Sequence, residues 1–428
     1  MKKSTITCDM EGVIQTMNKG AEEIFGYSKD ELIGKKRVSI FSPGEIVLQN
    51  VEDWLNKAVK NGSYEGKTIF LNKKQEIINA KIRITPTYHD GKKSEQTGYC
   101  GVTEIIDENV DVKINFSTKL IKWLAITRMP FTSASILPIL VVAAYFAYVG
   151  DDLFNILSFL FCILGVIFAH LSINVFNDYF DNLDGTDDLN NEYFQQLSGG
   201  SRAIELGLIT IKKTKKLAIN LFLFALLFGG IVISQANPVN LIGIIVITLV
   251  SSFLGYFYTA PPLRLVARRG LGELSIFLTF GPLLTLGTAL AIFDGDLFLQ
   301  YEYLITCILL GVPSGLLTTN ILVINQFPDM KSDKKTGKNH LVVTFGRSKS
   351  RWIYAFILFC AVFSGVYLAY IIDNYLLLIP SLITAIIGFI TFKILFKNYK
   401  NRKLVKANWL TIYIQALYCL VLLLVFLV

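Results

Sequence analysis

Apolar and polar residues follow two regimes along this 428-residue chain. Up to about residue 115 they alternate over short stretches. KTIFLNKKQEIINAKIRITPTYHDGK reads as half-buried strands with turns near Lys73 and at Asp90 and Gly91. From Arg128 onward, apolar runs of about 20 residues follow one another, the length a helix needs to cross roughly 30 Å of hydrocarbon. About nine such spans are predicted, near 130–149, 153–176, 215–234, 240–258, 271–293, 302–325, 352–372, 375–396 and 409–428. The fold class expected is therefore a multi-pass all-α membrane protein preceded by a soluble α+β domain. The soluble domain covers 1–110, a linker 111–128 and the membrane domain 129–428. The linker segment INFSTKLIKWLAITRMP is amphipathic and suited to the membrane interface.

Charge adds topology. The net +8 resides almost entirely in the membrane part, and it is segregated by loop. VGDD, SQANPVN, FDGDLFLQYEY and IIDNY carry no Lys or Arg, whereas PPLRLVARRG, DMKSDKKTGK, KNYKNRKLVKAN and ITIKKTKK are basic. The positive-inside rule puts the basic set in the cytoplasm of a cell-membrane protein, with the amino terminus inside and Val428 outside. A soluble protein with buried helices does not account for this sorting. No apolar signal-peptide core occurs in the first 100 residues, which also predicts a cytoplasmic amino-terminal domain. The six cysteines are scattered with no CxxC pair, so neither a disulfide framework nor a zinc site is indicated.

Against this background NDYFDNLDGTDD, residues 177–188, sets five aspartates at the cytoplasmic end of the second span. Burial of five carboxylates at mid-bilayer would cost on the order of 12 to 17 kcal/mol, so they belong at the membrane edge or in a wet, ion-containing cavity. If the helix continues to Gly185, Asn177, Asp181 and Asp184 share a face, as do Asn174, Asp178 and Asp181. The arrangement recurs four spans later in NQFPDMKSDKKTGK, where Asn325, Asp329 and Asp333 stand at i, i+4 and i+8. A solvated acidic loop explains one such cluster but not two of matched spacing and topology. A calcium loop in DNLDGTDDLNNE fails at Leu183 and at the position of Gly185. Two facing oxygen clusters suit Mg²⁺, which prefers one or two carboxylates plus substrate phosphates, and two such ions would hold a diphosphate.

The segment GYFYTAPPLRLVARRGLGE at the end of the fourth span supplies Arg264, Arg268 and Arg269 as phosphate-binding candidates. Positive-inside anchoring is the plainer reading of Arg268 and Arg269. Tyr258 is either an interfacial aromatic or part of a turn shaped into a cavity.

NDYFD, GTD, SGGSRAIELGLIT, YTAPPLRLVARRGLGE and INQFPDMKSDKKTGKNHLVVTFG together resemble the UbiA superfamily of intramembrane prenyltransferases, in its 1,4-dihydroxy-2-naphthoate polyprenyltransferase branch, over about residues 120–428. The resemblance implies a helical bundle around a chamber open to lipid. It also implies transfer of a polyprenyl group from an isoprenyl diphosphate to an aromatic acceptor, as in menaquinone biosynthesis. The metal set implied is Asn177, Asp178, Asp181, Asp184, Asp187, Asn325, Asp329 and Asp333, holding two Mg²⁺. Arg264, Arg268, Arg202 and Lys338 are the diphosphate-binding candidates, and Asp181, Asp329, Asp333, Arg264 and Tyr258 the catalytic ones. Many members have a third acid where Gly185 stands here, which leaves Asp184 and Asp187 as alternatives. Prenyl transfer to geranylgeranylglyceryl phosphate or to 4-hydroxybenzoate is the alternative within this chemistry. A cation or proton transporter is the alternative outside it, although its acids should sit near the membrane midplane.

In the amino-terminal part, the GYS, ELIGK, ITP and GVTEI segments carry a resemblance to PAS domains, which are sensory or interaction modules. SIFSPGEIV lacks the cysteine of a flavin photoreceptor, and His89 reads as a loop residue rather than a haem ligand, so the PAS ligand is left open. No nucleic-acid-binding segment is apparent. Expected partners are the diphosphate donor, the acceptor, membrane lipids and, through the PAS domain, a second copy of the chain.

Overall fold

The alternation in the first hundred residues becomes a five-stranded antiparallel sheet, β1 (Lys3–Asp9), β2 (Ile14–Met17), β3 (Tyr64–Leu71), β4 (Ile77–Tyr88) and β5 (Gln96–Ile105), in the order β2-β1-β5-β4-β3. The computed structural model describes residues 3–91, 94–150, 153–185 and 200–428. The chain divides into two units, Met1–Ile126 with Arg202–Thr210, and Thr127–Ser201 with Ile211–Val428.

In the first unit, Asn18 starts helix α1 (Lys19–Phe25), its Oδ1 accepting from Ala21 N at 2.9 Å and from Thr5 N at 3.0 Å. A capping box between Ser28 and Glu31 starts α2 (Lys29–Leu32). These helices and α3 (Glu52–Asn61) bury one face of the sheet in a core that includes Phe25, Phe41, Trp54 and Ile82. Phe25 and Phe41 stack with ring centroids 4.2 Å apart. The amphipathic linker forms α4 (Phe116–Thr127), tied to this unit where Thr118 Oγ1 donates to Gln49 Oε1 at 3.0 Å and Lys122 Nζ pairs with Glu45 Oε1 at 2.6 Å. Arg202–Thr210 packs into the same unit so closely that a Cβ on Gly44 would fall 2.3 Å from the carbonyl oxygen of Leu206.

In the second unit, nine spans among the described residues are long and apolar enough to cross a membrane. They are α5 (Ser133–Val149), α6 (Ile156–Leu183), α7 (Ile211–Gln235), α8 (Leu241–Thr259), α9 (Leu271–Phe280) with α10 (Pro282–Ile292), α11 (Tyr301–Lys335), α12 (Leu341–Ile372), α13 (Leu378–Asn398) and α14 (Val405–Leu427). The second and sixth spans continue as helix beyond their apolar runs, because backbone hydrogen bonding does not stop where hydrocarbon does, and the seventh begins before its own run, across a kink at Gly346. The fifth is broken at Gly281, which meets α11 at Gly311 and Gly315. A Cβ on Gly281 would lie 2.6 Å from Gly311 O, so the two backbones approach as only small residues allow. Pro328 inside α11 removes a backbone donor and frees the carbonyl of Ile324, to which Asn408 Nδ2 donates at 3.4 Å.

Candidate active site

The continuation of α6 carries the first acidic motif, and its helical register sorts the side chains. Asn177, Asp181 and Asp184 fall on one face, and Asp178 is turned about 100° from Asn177. Asn177 Oδ1 accepts from Thr259 Oγ1 at 2.7 Å. Asp181 Oδ1 meets Lys338 Nζ at 2.7 Å, and Asp184 Oδ2 meets Arg264 Nη2 at 2.7 Å. Asp178 points elsewhere. Its buried carboxylate accepts from Ser201 N at 3.0 Å and from Ser201 Oγ, anchoring that residue to α6. Asp187 lies outside the described residues.

The second motif lies on the extended end of α11. Asn325 Oδ1 accepts from Asn408 Nδ2 at 2.7 Å, so one amide restrains both Asn325 and the carbonyl that Pro328 frees. Asp329 is buried, and Asp333 Oδ2 is 3.0 Å from His340 Nε2. Lys338 joins the two motifs: its backbone N donates to Asp333 O at 2.8 Å while its side chain reaches Asp181.

The third element closes the ring. Thr259 ends α8 on Asn177, Arg264 pairs with Asp184, and Arg269 N donates to Asn339 O at 2.9 Å. The guanidinium of Arg268 instead donates to the carbonyls of Leu263, at 2.8 Å, and Pro262, bracing its own loop. Arg202 belongs to the amino-terminal unit, where its Nη1 donates to Glu205 Oε2 at 2.9 Å. Segments far apart in sequence thus converge through Lys338, Arg264, Thr259 and Asn339.

Beside them is a mostly apolar cavity of about 590 Å³, whose wall includes Asn177 and Tyr258. The motif face and the cavity therefore share Asn177, and Asp181 stands one turn further along α6. Among the described residues no three His, Cys, Asp or Glu side chains gather as a ready-made metal cage. Asp181 and Asp184 are each matched with a cation instead, Lys338 and Arg264, and Asp333 faces His340.

Sequence reasoning missed three supporting residues. His340 starts α12, accepting from Val343 N at 3.3 Å through Nδ1 while its other nitrogen faces Asp333. Thr259 carried no signal beyond its place beside the Pro pair. Buried Glu273 accepts from Gln326 Nε2 and Leu341 N, both at 2.9 Å, and locks α9, α11 and α12 together behind the acids. The only hint of Glu273 was an acid following a basic turn in RRGLGE.

The profile of the UbiA prenyltransferase family matches residues 135–426, and that of the PAS domain residues 2–105. The 1,4-dihydroxy-2-naphthoate octaprenyltransferase of Haemophilus influenzae is 30% identical over 201 residues, 46% of this chain and 60% of that protein. The 2-carboxy-1,4-naphthoquinone phytyltransferase of Synechocystis is 28% identical, covering 52% of this chain and 66% of that one. The chain thus spans less than two thirds of the length of these relatives. A UbiA homolog from Archaeoglobus fulgidus, solved with DMAPP and Mg²⁺, superposes with a TM-score of 0.52 at 17% identity, over 72% of this chain and 99% of that one.

Proposed function

We propose, for a chain that belongs to the UbiA prenyltransferase family, that it transfers a polyprenyl group from an isoprenyl diphosphate to an aromatic acceptor of the 1,4-dihydroxy-2-naphthoate type. The observation that carries this reading is the link between two acidic motifs through Lys338, beside an apolar cavity that shares Asn177 with the first motif. The relatives named for naphthoate substrates support the choice of acceptor. The loop charges support a site on the cytoplasmic face of the cell membrane.

The donor set of Asn177, Asp181, Asp184, Asn325, Asp329 and Asp333 is all oxygen, and among the described residues the buried Asp181 Oδ1 is met by the ion pair with Lys338 and by no other donor. This fits a hard divalent cation, and these residues would hold Mg²⁺. Bound there with the diphosphate, Mg²⁺ supplies neutralisation of the leaving group's charge. Lys338 and Arg264 exchange carboxylate for phosphate oxygens as the donor enters, and so keep both partners charged and paired. Asp178 holds Ser201 to α6. The apolar wall excludes water while the bond between prenyl carbon and diphosphate oxygen breaks, so that the acceptor carbon forms the new carbon–carbon bond. The acceptor then loses a proton or its carboxyl group as carbon dioxide. The product is a lipid already in the bilayer.

The PAS domain is proposed to regulate this transfer. The packing of Arg202–Thr210 against Gly44 supports the idea, because that segment follows Ser201, the anchor of Asp178, by one peptide bond.

The test is mass spectrometry of lipids formed by membranes given Mg²⁺, geranylgeranyl or octaprenyl diphosphate, and 1,4-dihydroxy-2-naphthoate, 4-hydroxybenzoate or geranylgeranylglyceryl phosphate. A prenylated naphthalene that disappears with EDTA and in Asp181→Asn or Asp329→Asn is expected. Full activity in either variant, or product only from the glyceryl phosphate, would overturn the assignment.

A further inference from the structure

The site proposed above binds a diphosphate and leaves His170 of the cavity wall unused. His170 lies seven residues before Asn177 on α6, two helical turns and on the order of 10 Å away along the cavity wall. It is 8% exposed, and the edge of its ring faces Phe280, with centroids 5.1 Å apart at 80°. Its Nδ1 is 2.7 Å from Ser135 Oγ of α5, and both residues line the cavity. Among the described residues of that lining, His170 is the one basic side chain.

A buried imidazole in an apolar wall is costly unless its polar atoms are matched. Ser135 matches one nitrogen. In either tautomer Nε2 has no hydrogen-bond partner among the described residues, and a hydroxyl can serve it as donor or as acceptor. A prenyl tail has no polar atom to offer, so of the two substrates it is the acceptor that can match it. The distance to Asn177 suits a bicyclic aromatic with a hydroxyl at one end and its reacting carbon toward the diphosphate motifs.

We propose that His170, oriented by Ser135, is the positioning residue that recognises a hydroxyl of the aromatic acceptor and so selects hydroxylated rings. This deepens the proposed function and rests on it. A neutral hydrogen bond of this kind is worth about a factor of ten in affinity.

The experiment uses the full chain in membranes, with 1,4-dihydroxy-2-naphthoate and its two mono-O-methyl ethers as acceptors. Wild type is expected to disfavour one ether by about tenfold in kcat/KM. His170→Ala should raise the KM of the dihydroxy acceptor about tenfold, leave the diphosphate KM unchanged, and accept both compounds equally. His170→Gln, which keeps an acceptor in a similar place, should recover most of the discrimination, and Ser135→Ala should lose part of it. Retained discrimination in His170→Ala overturns the proposal. So does a fall in kcat with unchanged acceptor KM, which marks a structural role. If His170→Ala does not assemble, the Gln and Ser135 variants decide by the same ratio. If wild type prenylates none of the naphthoates while transferring to another acceptor, the functional reading fails, and this inference fails with it.

Discussion

Lys338→Met removes the ammonium that joins the two acidic motifs while keeping the length of the side chain. The charges are 2.7 Å apart, with the side chains 10% and 14% exposed. Coulomb's law puts their attraction at roughly 6 kcal/mol for an effective dielectric of about 20, and at about 1.5 kcal/mol in bulk water. Desolvation of both groups offsets most of the larger figure, so the net value lies toward the smaller one. A divalent cation arriving at Asp181 must displace this ammonium. In the variant it has no rival, and about 1.5 kcal/mol corresponds to a Mg²⁺ affinity of the free protein raised about tenfold. The diphosphate experiences the reverse. A lost hydrogen bond between charged groups, at about 1.5 to 3 kcal/mol, raises the donor KM by at least about tenfold. Two titrations separate these effects: thermal protection of the detergent-solubilised protein by Mg²⁺ alone, and initial rates in membranes over a range of geranylgeranyl diphosphate at saturating Mg²⁺. Tighter Mg²⁺ together with weaker diphosphate is the expected pair of results. If neither constant moves, Lys338 is not the exchangeable partner of Asp181, and the two motifs do not share a ligand through it.

Other consequences follow from packing and burial. Gly281→Ala inserts a carbon 2.6 Å from Gly311 O, and overpacking of this kind costs about 1 to 3 kcal/mol; a lower Tm of the solubilised protein is expected, and an unchanged Tm would show that the crossing is looser than described. Gly44→Val should displace Leu206 and Leu208 and change the rate of prenyl transfer even though it is remote in sequence from both acidic motifs; a variant identical to wild type in rate and in ligand response would rule out regulation through that segment. Burial pushes the Cys8 thiol up to about 11, so at pH 8 its thiolate fraction, and its alkylation by iodoacetamide, should be about two orders of magnitude below those of an ordinary cysteine and should climb with pH. Peptide-resolved mass spectrometry measures this, and rapid labelling at pH 8 would contradict the burial.

The spans were legible because transfer from water to hydrocarbon depends on composition, which a sequence displays directly. Their ends were less so. Hydropathy stopped the second span at Phe176 and the sixth at Asn325, whereas the helices run to Leu183 and Lys335. Those polar turns hold both acidic motifs, so the site occupies the region where apolar pattern and backbone hydrogen bonding part company. Spacing showed which acids share a helical face, but contacts between distant segments leave no periodic trace. Nothing local distinguishes Asp178, turned to Ser201, from Asp181, turned to Lys338. Nor does anything local distinguish Arg268, which braces its own loop, from Arg264, which reaches Asp184. One-to-one pairing of Asp181 with Lys338 and of Asp184 with Arg264 has a physical rationale that a motif alone does not convey. Acids gathered on neighbouring helix ends would otherwise hold several like charges together, and Lys338 and Arg264 relieve that repulsion. His170 was hard to find for the opposite reason. It stands alone in an apolar run, where the sequence offers no partner, and only the approach of Ser135 from a neighbouring helix shows that one of its nitrogens is held.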